Sequence, residues 1–156
     1  MQQSANGRRF CYNAEGVRAH AYKCAAGKWT IGVGHKIATT AEYQLYVELG
    51  KALTLKEVDT IYNTDLATKV AAVNDALKHC PFKLNQNQFD ALVAFVFNIG
   101  VGAWNGSTCR RDLEQGRMAA IPTEMRRWVH DDHGNVIEGL VNRREAEIHL
   151  FNTPVK

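Results

Sequence analysis

Residues 15–35 read EGVRAHAYKCAAGKWTIGVGH, and the expected fold of the first third of the chain follows from this stretch and its flanks. A short helix is predicted over 10–20, followed by strands over 22–24 and 28–31. The Ala-Ala-Gly segment at 25–27 favours a hairpin between the two strands. The first third of the chain is therefore predicted to mix α and β structure.

Downstream of this stretch the sequence predicts helices. Thr54 and Glu57 match a capping box, in which two side chains bind free backbone N–H groups of the first turn. Apolar residues then recur at three- and four-residue spacing, and Pro81 stops this long helix. Asn85 and Gln88 begin another helix in the same way. Because that helix is apolar on most of its circumference, it is predicted to be the buried central helix.

The remaining third predicts shorter helices. Gly100 and Gly102 are expected to end the central helix, and helices are predicted over 107–115, 121–130 and 140–151. The predicted fold class is thus α+β and mostly helical, with a β-hairpin near the N-terminus.

Length and composition indicate one globular domain. A chain of 156 residues buries about two-thirds of its unfolded surface without disulfides or a structural metal. Its 46% hydrophobic and 22% charged residues are ordinary for a soluble globular protein, which excludes a disordered chain. We therefore predict a single domain over 1–156, and we expect a monomer.

No segment predicts a membrane anchor or an export signal. The longest apolar-rich stretch, 91–104, is interrupted by Asn98 and is shorter than the roughly 20 residues that a spanning helix needs. The N-terminus lacks the apolar core of a signal peptide. We therefore expect no stable membrane association.

The formal net charge of +3 comes partly from four arginine pairs. A basic surface attracts nucleic acid, anionic lipid or an acidic cell wall. The pairs are scattered and no aromatic-interleaved strand or recognition helix accompanies them, so nucleic-acid binding is not expected. The pairs begin at Arg8, Arg110, Arg126 and Arg143.

Neither disulfides nor a metal centre is expected. The four cysteines allow three full pairings, but their irregular spacing and the adequate core favour reduced thiols. A zinc site is weakly indicated, because the ligand types occur without a paired Cys-x-x-Cys element. The residues weighed for zinc are His79, Cys80, Cys109, His130 and His133.

A nucleotide-binding interpretation of Gly32-Val33-Gly34 fails as well. Ile37 stands where the third glycine of the phosphate-binding motif should be, and no Lys-Ser/Thr pair follows. Close approach of the backbone to a bound group is the better interpretation of these glycines.

Three reactive side chains follow one another at short intervals. Eight residues separate Glu15 from Cys24, and five residues separate Cys24 from Thr30. The pattern Glu, Asp or Cys, Thr, with the Thr inside Thr-Ile-Gly-x-Gly-His, resembles that of the phage-type lysozymes and endolysins of glycoside hydrolase family 24. The likeness continues through the segments at 84–92, 97–100, 106–108, 128 and 139–145, and so covers nearly the whole chain in the family's order.

The resemblance implies a lysozyme-like fold. Lobe 1, over about 12–55, would carry the β-hairpin. Lobe 2, over about 56–156 together with the N-terminal helix, would be helical. The two lobes would flank a glycan-binding cleft.

The chemistry assigned by the resemblance fits the residue types. Glu15 would protonate the leaving oxygen of a glycosidic bond, while Cys24 and Thr30 would activate and hold the attacking water. A thiol with an ordinary pKa of about 8.5 is mostly neutral at pH 7 and so a weak base. Two plainer interpretations stay open, namely Cys24 as a packed thiol and Thr30 as an ordinary strand residue.

Six further residues are expected to bind substrate or support the site. The glycines would let the backbone approach a sugar, the histidine would hydrogen-bond structurally, the aromatic ring and amide would meet a sugar ring, and the arginine would orient the acid. Packing is the alternative for the aromatic residue and the amide, whereas Trp128 is expected in the core and not as a platform for the ligand. The six are Gly32, Gly34, His35, Phe97, Asn98 and Arg143.

The resemblance therefore implies a muramidase that hydrolyses the β-1,4 bond between N-acetylmuramic acid and N-acetylglucosamine in peptidoglycan, without a cofactor. A phage or prophage would encode it for host lysis. It would stay in the host cytoplasm until a separate holin opens the way to the periplasm and cell wall. The alternatives are a non-catalytic peptidoglycan-binding homologue and a zinc-dependent interaction module.

Overall fold

The computed structural model describes residues 1–155, which form two compact units. One unit is Arg9–Ala67, and the other combines residues 1–8 with residues 68 onward. The predicted domain 1–156 ends at Lys156, which lies outside the described residues. That these residues form one catalytic domain with lobes at 12–55 and 56–156 remains a prediction.

The first helix, α1, spans Ala5–Glu15 rather than the predicted 10–20. The hydroxyl oxygen of Ser4 accepts a hydrogen bond from the backbone N–H of Gly7 at 3.1 Å, which satisfies one free donor of the first turn. Gly16 has a φ of +72°, a left-handed conformation that favours glycine and ends the helix. Both ends therefore lie about five residues earlier than predicted.

A three-stranded antiparallel sheet follows α1 in the order β1-β2-β3. Its strands are β1, Arg18–Lys23; β2, Trp29–Gly32; and β3, His35–Lys36. The predicted start of β1 at residue 22 was wrong, because pairing with β2 extends the strand back to Arg18. The sequence analysis also missed β3.

The predicted hairpin at 25–27 is confirmed. The backbone N–H of Cys24 donates to the carbonyl of Lys28 at 2.9 Å, and the N–H of Gly27 donates to the carbonyl of Cys24 at 2.8 Å. Gly27 has a φ of +73° in this turn. The turn brings the end of β1 next to the start of β2.

Two short helical segments after the sheet were not predicted. Helix α2 covers Thr40–Glu42 and runs into a π-helical segment, Tyr43–Glu48. Thr39 and Glu42 form a capping box at its start. This Thr-x-x-Glu signal is the same one that identified the next helix, so the sequence did contain it.

Helix α3 spans Leu55–Leu77, and its predicted capping box is confirmed. The backbone N–H of Glu57 donates to the Thr54 hydroxyl at 3.2 Å, and the Thr54 N–H donates to the Glu57 carboxylate at 2.7 Å. The helix ends four residues before Pro81.

Helix α4, Gln86–Ile99, is the predicted buried helix. Asn85 and Gln88 form its capping box, with N–H to side-chain oxygen distances of 2.9 and 3.0 Å. Every residue from Phe89 to Val96 is buried. Helix α4 packs against the last helix, α8, Glu138–Asn152, so the core of this unit lies between them.

The helices between α4 and α8 are short: α5, Val101–Gly106; α6, Thr108–Glu114; and α7, Ile121–Arg126. A 3₁₀ turn, Met118–Ala120, precedes α7.

Two predicted boundaries in this part of the chain were wrong. Only Gly100 ends α4, with a φ of +87°, because Gly102 lies inside α5. Helix α7 stops before the predicted residue 130, because His130 pairs with Val136 in an isolated β-bridge around a turn. The mostly helical fold with a small antiparallel sheet is nevertheless as predicted.

Candidate active site

Glu15 is the last residue of α1 and is half-buried. The turn between β2 and β3 approaches its side chain closely. A Cβ atom placed on Gly34 would lie 2.9 Å from the carboxylate oxygen Oε2 of Glu15, and Gly34 has a φ of +70°. Only glycine therefore lets this turn pass directly over the carboxylate.

This contact predicts a large effect for Gly34→Ala. The added methyl group would displace the Glu15 carboxylate, and the left-handed backbone would strain the fold by about 1–2 kcal/mol. Since a misplaced catalytic group costs up to about 10²-fold in rate, we expect the muramidase activity that the resemblance implies to fall by about that factor.

The matched control is Gly50→Ala. Gly50 has a φ of +64°, and nothing lies within 4 Å of its hypothetical Cβ. The Gly50→Ala variant should lose a similar free energy of unfolding, measured with denaturant, yet keep its activity. Equal activity losses in the two variants would mean that strain, and not the contact with Glu15, explains the effect.

Cys24 lies just after β1, and its thiol is half-buried. The ammonium Nζ of Lys36, on β3, donates to the sulfur Sγ at 3.2 Å. Burial raises the pKa of the thiol, but hydrogen bonds from the Lys28 backbone, the Lys36 ammonium, the Ala26 backbone and the Thr30 hydroxyl outweigh it, and the pKa falls to about 7. About half of the thiol is therefore ionised at pH 7.

Thr30 is on β2 and is 1% exposed. Its hydroxyl donates to the carbonyl of Lys28 at 3.0 Å and also lies close enough to hydrogen-bond the Cys24 thiolate. A hydroxyl has one hydrogen, so it serves one of these acceptors at a time and keeps lone pairs to accept a further bond. Such a hydroxyl can bind a water molecule beside the thiolate.

His35 is held between two carboxylates. Its Nδ1 lies 2.8 Å from Asp65 Oδ2, and its Nε2 lies 3.1 Å from Glu42 Oε1. The Asp65 hydrogen bond, aided by Glu42 and opposed by burial, raises the pKa of His35. The imidazole thus links β3 to α2 and α3 through hydrogen bonds.

The raised pKa predicts how stability depends on pH. In the unfolded chain a histidine has a pKa of about 6.5, below that of folded His35, so charged His35 stabilises the fold fully below pH 6.5. This stabilisation is lost as the pH rises through the folded-state pKa. We expect His35→Gln to lower the free energy of unfolding by about 1–2 kcal/mol at pH 5.5, and by less at pH 9.

Denaturant unfolding of both proteins across this pH range measures the difference. A gap between wild type and His35→Gln that stays constant from pH 5.5 to pH 9 would contradict the charged state of this histidine.

The other unit holds the remaining predicted site residues. Phe97, near the end of α4, has the ammonium of Lys69 5.4 Å from its ring centroid. The side-chain oxygen of Asn98 accepts a hydrogen bond from Nη2 of Arg144 at 2.8 Å. Trp128 is half-buried, with its ring edge-on to Phe95 at 6.1 Å, which indicates packing.

A buried ionic cluster on α8 anchors Arg143. Nε of Arg143 and Nη2 of Arg144 both donate to Oε1 of Glu147, at 3.0 and 2.9 Å, and Glu147 is fully buried. The guanidinium of Arg144 also lies 4.9 Å from the ring centroid of Phe95. Removing one member of such a cluster leaves a buried charge uncompensated and strongly destabilises the fold.

The sequence analysis missed Arg144 and Glu147. The Arg-Arg-x-x-Glu spacing, which places the acid three and four residues after the two bases of one helix, is the signal that could have found them.

The predicted residues thus divide between the two units. Unit Arg9–Ala67 contains Glu15, Cys24, Thr30, Gly32, Gly34 and His35, while Phe97, Asn98 and Arg143 belong to the other. That Arg143 orients Glu15 remains a prediction.

Cys24, Cys80 and Cys109 carry free thiols. Burial raises the pKa of the Cys109 thiol well above its usual range. Within residues 1–155, no group of three or more His, Cys, Asp or Glu residues is placed to hold a metal ion. Over the same range, no helix combines the length and apolar character needed to cross a membrane.

The mostly helical fold, with a carboxylate at a helix end and a thiol and hydroxyl at the small sheet, is the arrangement that the resemblance to lysozyme-like glycosidases predicted. Comparisons with known proteins agree. The family model described as phage lysozyme matches residues 12–147. The endolysin of Bacillus phage PZA is 37% identical over 155 residues, which cover 98% of this chain and 56% of that protein.

The matches to two further proteins cover a larger share of those proteins. The endolysin of Acyrthosiphon pisum secondary endosymbiont phage 1 is 32% identical over 142 residues, covering 89% of this chain and 90% of that protein. The solved muramidase domain of SpmX from Asticaccaulis excentricus superposes with a TM-score of 0.80 at 34% identity, covering 98% of this chain and 99% of that chain.

The chain belongs to the phage lysozyme family. This membership confirms the predicted family, the lysozyme-like fold class and the assignment as a glycoside hydrolase. The chain spans little more than half of the PZA phage endolysin.

Proposed function

We propose that the protein is an endolysin that hydrolyses the β-1,4 bond between N-acetylmuramic acid and N-acetylglucosamine in peptidoglycan. The observation that carries the proposal is the arrangement within residues 9–67. There Gly34 lies over the Glu15 carboxylate, and the Cys24 thiol, with a pKa of about 7, adjoins the Thr30 hydroxyl. Cleavage of a glycosidic bond needs an acid for the leaving oxygen and a base for water, and these residues provide both.

In the proposed reaction the protonated carboxyl of Glu15 donates its proton to the glycosidic oxygen as the bond to the anomeric carbon breaks. A water held by the Thr30 hydroxyl attacks that carbon, and its proton passes to the Cys24 thiolate. The reaction leaves Glu15 ionised and Cys24 protonated. Proton exchange with solvent then restores both groups.

The hydrogen bonds that the Lys28 backbone and then the Lys36 ammonium donate to Cys24 answer the objection that a thiol is too weak a base. At its ordinary pKa of about 8.5 only a few per cent of a thiol is ionised at pH 7. At a pKa of about 7 roughly half of it is ionised, and a base with a pKa close to the working pH is the most effective.

The proposed biological role is lysis of a bacterial host by a phage or prophage. In this role the protein works as a monomer that needs no cofactor and associates stably with neither a membrane nor nucleic acid. It stays in the host cytoplasm until a separate holin releases it to the periplasm and cell wall. The net charge of +3 favours association with an acidic wall.

The proposal is tested by adding purified protein to outer-membrane-permeabilised cells and following their turbidity, with mass spectrometry of the soluble products. We expect clearing and products that end in a reducing muramic acid. An anhydro-muramic end would identify a lytic transglycosylase instead. Co-sedimentation with walls without clearing would identify the non-catalytic binding homologue.

A further inference from the structure

The pairing of β2 with β3 brings a lysine to the thiol. Thr30 and Lys36 are directly opposite partners in this antiparallel pair. Directly opposite residues place their side chains on the same face of a sheet. The hairpin turn after β1 brings Cys24 to this same region, where its thiol adjoins the Thr30 hydroxyl.

The side chain of Lys36 hydrogen-bonds this thiol. Its Nζ donates to the Cys24 sulfur at 3.2 Å. Among residues 1–155 the ammonium makes no ion pair with a carboxylate. An ammonium at this distance stabilises the thiolate relative to the neutral thiol.

Three other basic side chains of the sheet have different partners. The Lys23 ammonium lies 5.4 Å from the Trp29 ring centroid, and the Arg18 guanidinium lies 4.7 Å from that of Tyr22. His35, next to Lys36 on β3, is held by two carboxylates. Lys36 is therefore the side-chain cation that hydrogen-bonds the thiol in the described part of the chain.

We propose that Lys36 is a positioning residue of the glycosidase, which keeps Cys24 in the thiolate form that accepts the proton of the attacking water. The assignment rests on the proposed function, because in that function the thiolate is the base for the attacking water. Lys36 itself exchanges no proton and acts only through the Cys24 sulfur, to which its ammonium donates a hydrogen bond.

Titration of Cys24 in the intact protein tests the electrostatic part directly. The rate of alkylation by iodoacetamide, followed by mass spectrometry of the Cys24 peptide, reports the thiolate fraction at each pH. The midpoint for wild type should lie near pH 7. Lys36→Met should raise it by about one unit, and Lys36→Arg should restore it to within a few tenths.

Lys23→Met is the matched control. It removes one positive charge from the same sheet, next to Cys24 in sequence, but from a side chain that lies on Trp29. Its midpoint should match wild type. Equal midpoints for wild type, Lys36→Met and Lys23→Met, in variants with unchanged melting temperatures, would overturn the proposal.

Wall-clearing rates of the same variants test the link to catalysis. A one-unit shift lowers the thiolate fraction at pH 7 about fivefold. We therefore expect Lys36→Met to clear walls about fivefold more slowly at pH 7 and to approach the wild-type rate at pH 9, whereas Lys36→Arg stays near wild type throughout.

The two hypotheses fail separately. If wild type clears no walls, the proposed function is wrong, and the alkylation midpoints still decide whether Lys36 holds the thiolate. If wild type is active and the Lys36→Met midpoint shifts without any loss of rate at pH 7, the positioning role is wrong.

Discussion

Glu15→Gln should fold normally and lose about 10²–10⁴-fold of its wall-clearing activity. An amide has the shape of the carboxylate and fits beneath the Gly34 turn, but it cannot protonate a leaving oxygen. The measurement is the rate of turbidity loss with permeabilised cells, together with a circular dichroism melt that shows an intact fold.

Glu48→Gln is the matched control for this substitution. Glu48 is an exposed glutamate of the same unit, at the end of the π-helical segment. Its replacement removes the same charge, and the variant should clear walls like wild type. If folded Glu15→Gln were equally active, the muramidase mechanism would have to be abandoned.

Cys24→Ala should lose activity by about 10²–10⁴-fold as well, because it removes the base that accepts the water proton. Cys24→Ser should resemble it, since a hydroxyl ionises far less readily than a thiol. Cys24→Asp should keep or improve the activity at pH 7, since an ordinary aspartate with a pKa of about 4 is fully ionised there.

The pH profile separates the thiol from the carboxylate. Because the thiolate is the active form and the thiol has a pKa of about 7, the activity of wild type relative to Cys24→Asp should rise as the pH increases through 7, since both proteins depend on Glu15 alike. At pH 5.5–6 Cys24→Asp should therefore be more active than wild type, in which most of the thiol is protonated. The control Cys80→Ala should follow the wild-type profile, because Cys80 lies in the other unit.

Wild-type activity in Cys24→Ala, with an unchanged melting temperature, would contradict this role. Cys24 would then be a packed thiol, and Glu15 with a Thr30-bound water would account for the reaction.

The sequence determined those features whose physical cause lies within a few residues. The capping boxes at Thr54 and Asn85 each need a second side chain only three residues away, and both form as predicted. The apolar circumference of α4 likewise predicted its burial. The spacing of Glu15, Cys24 and Thr30 similarly identified the family, since it lies in the linear order of the residues.

Only the tertiary structure decided the features that depend on distant partners. Strand β1 reaches back to Arg18 because β2 pairs with it, and β3 exists because two residues find partners on β2. The contact of Gly34 with Glu15 and the pairing of Lys36 with Cys24 join residues 19 and 12 positions apart. Local propensity carries no information on such encounters, because chain folding and strand register set the distances between these groups.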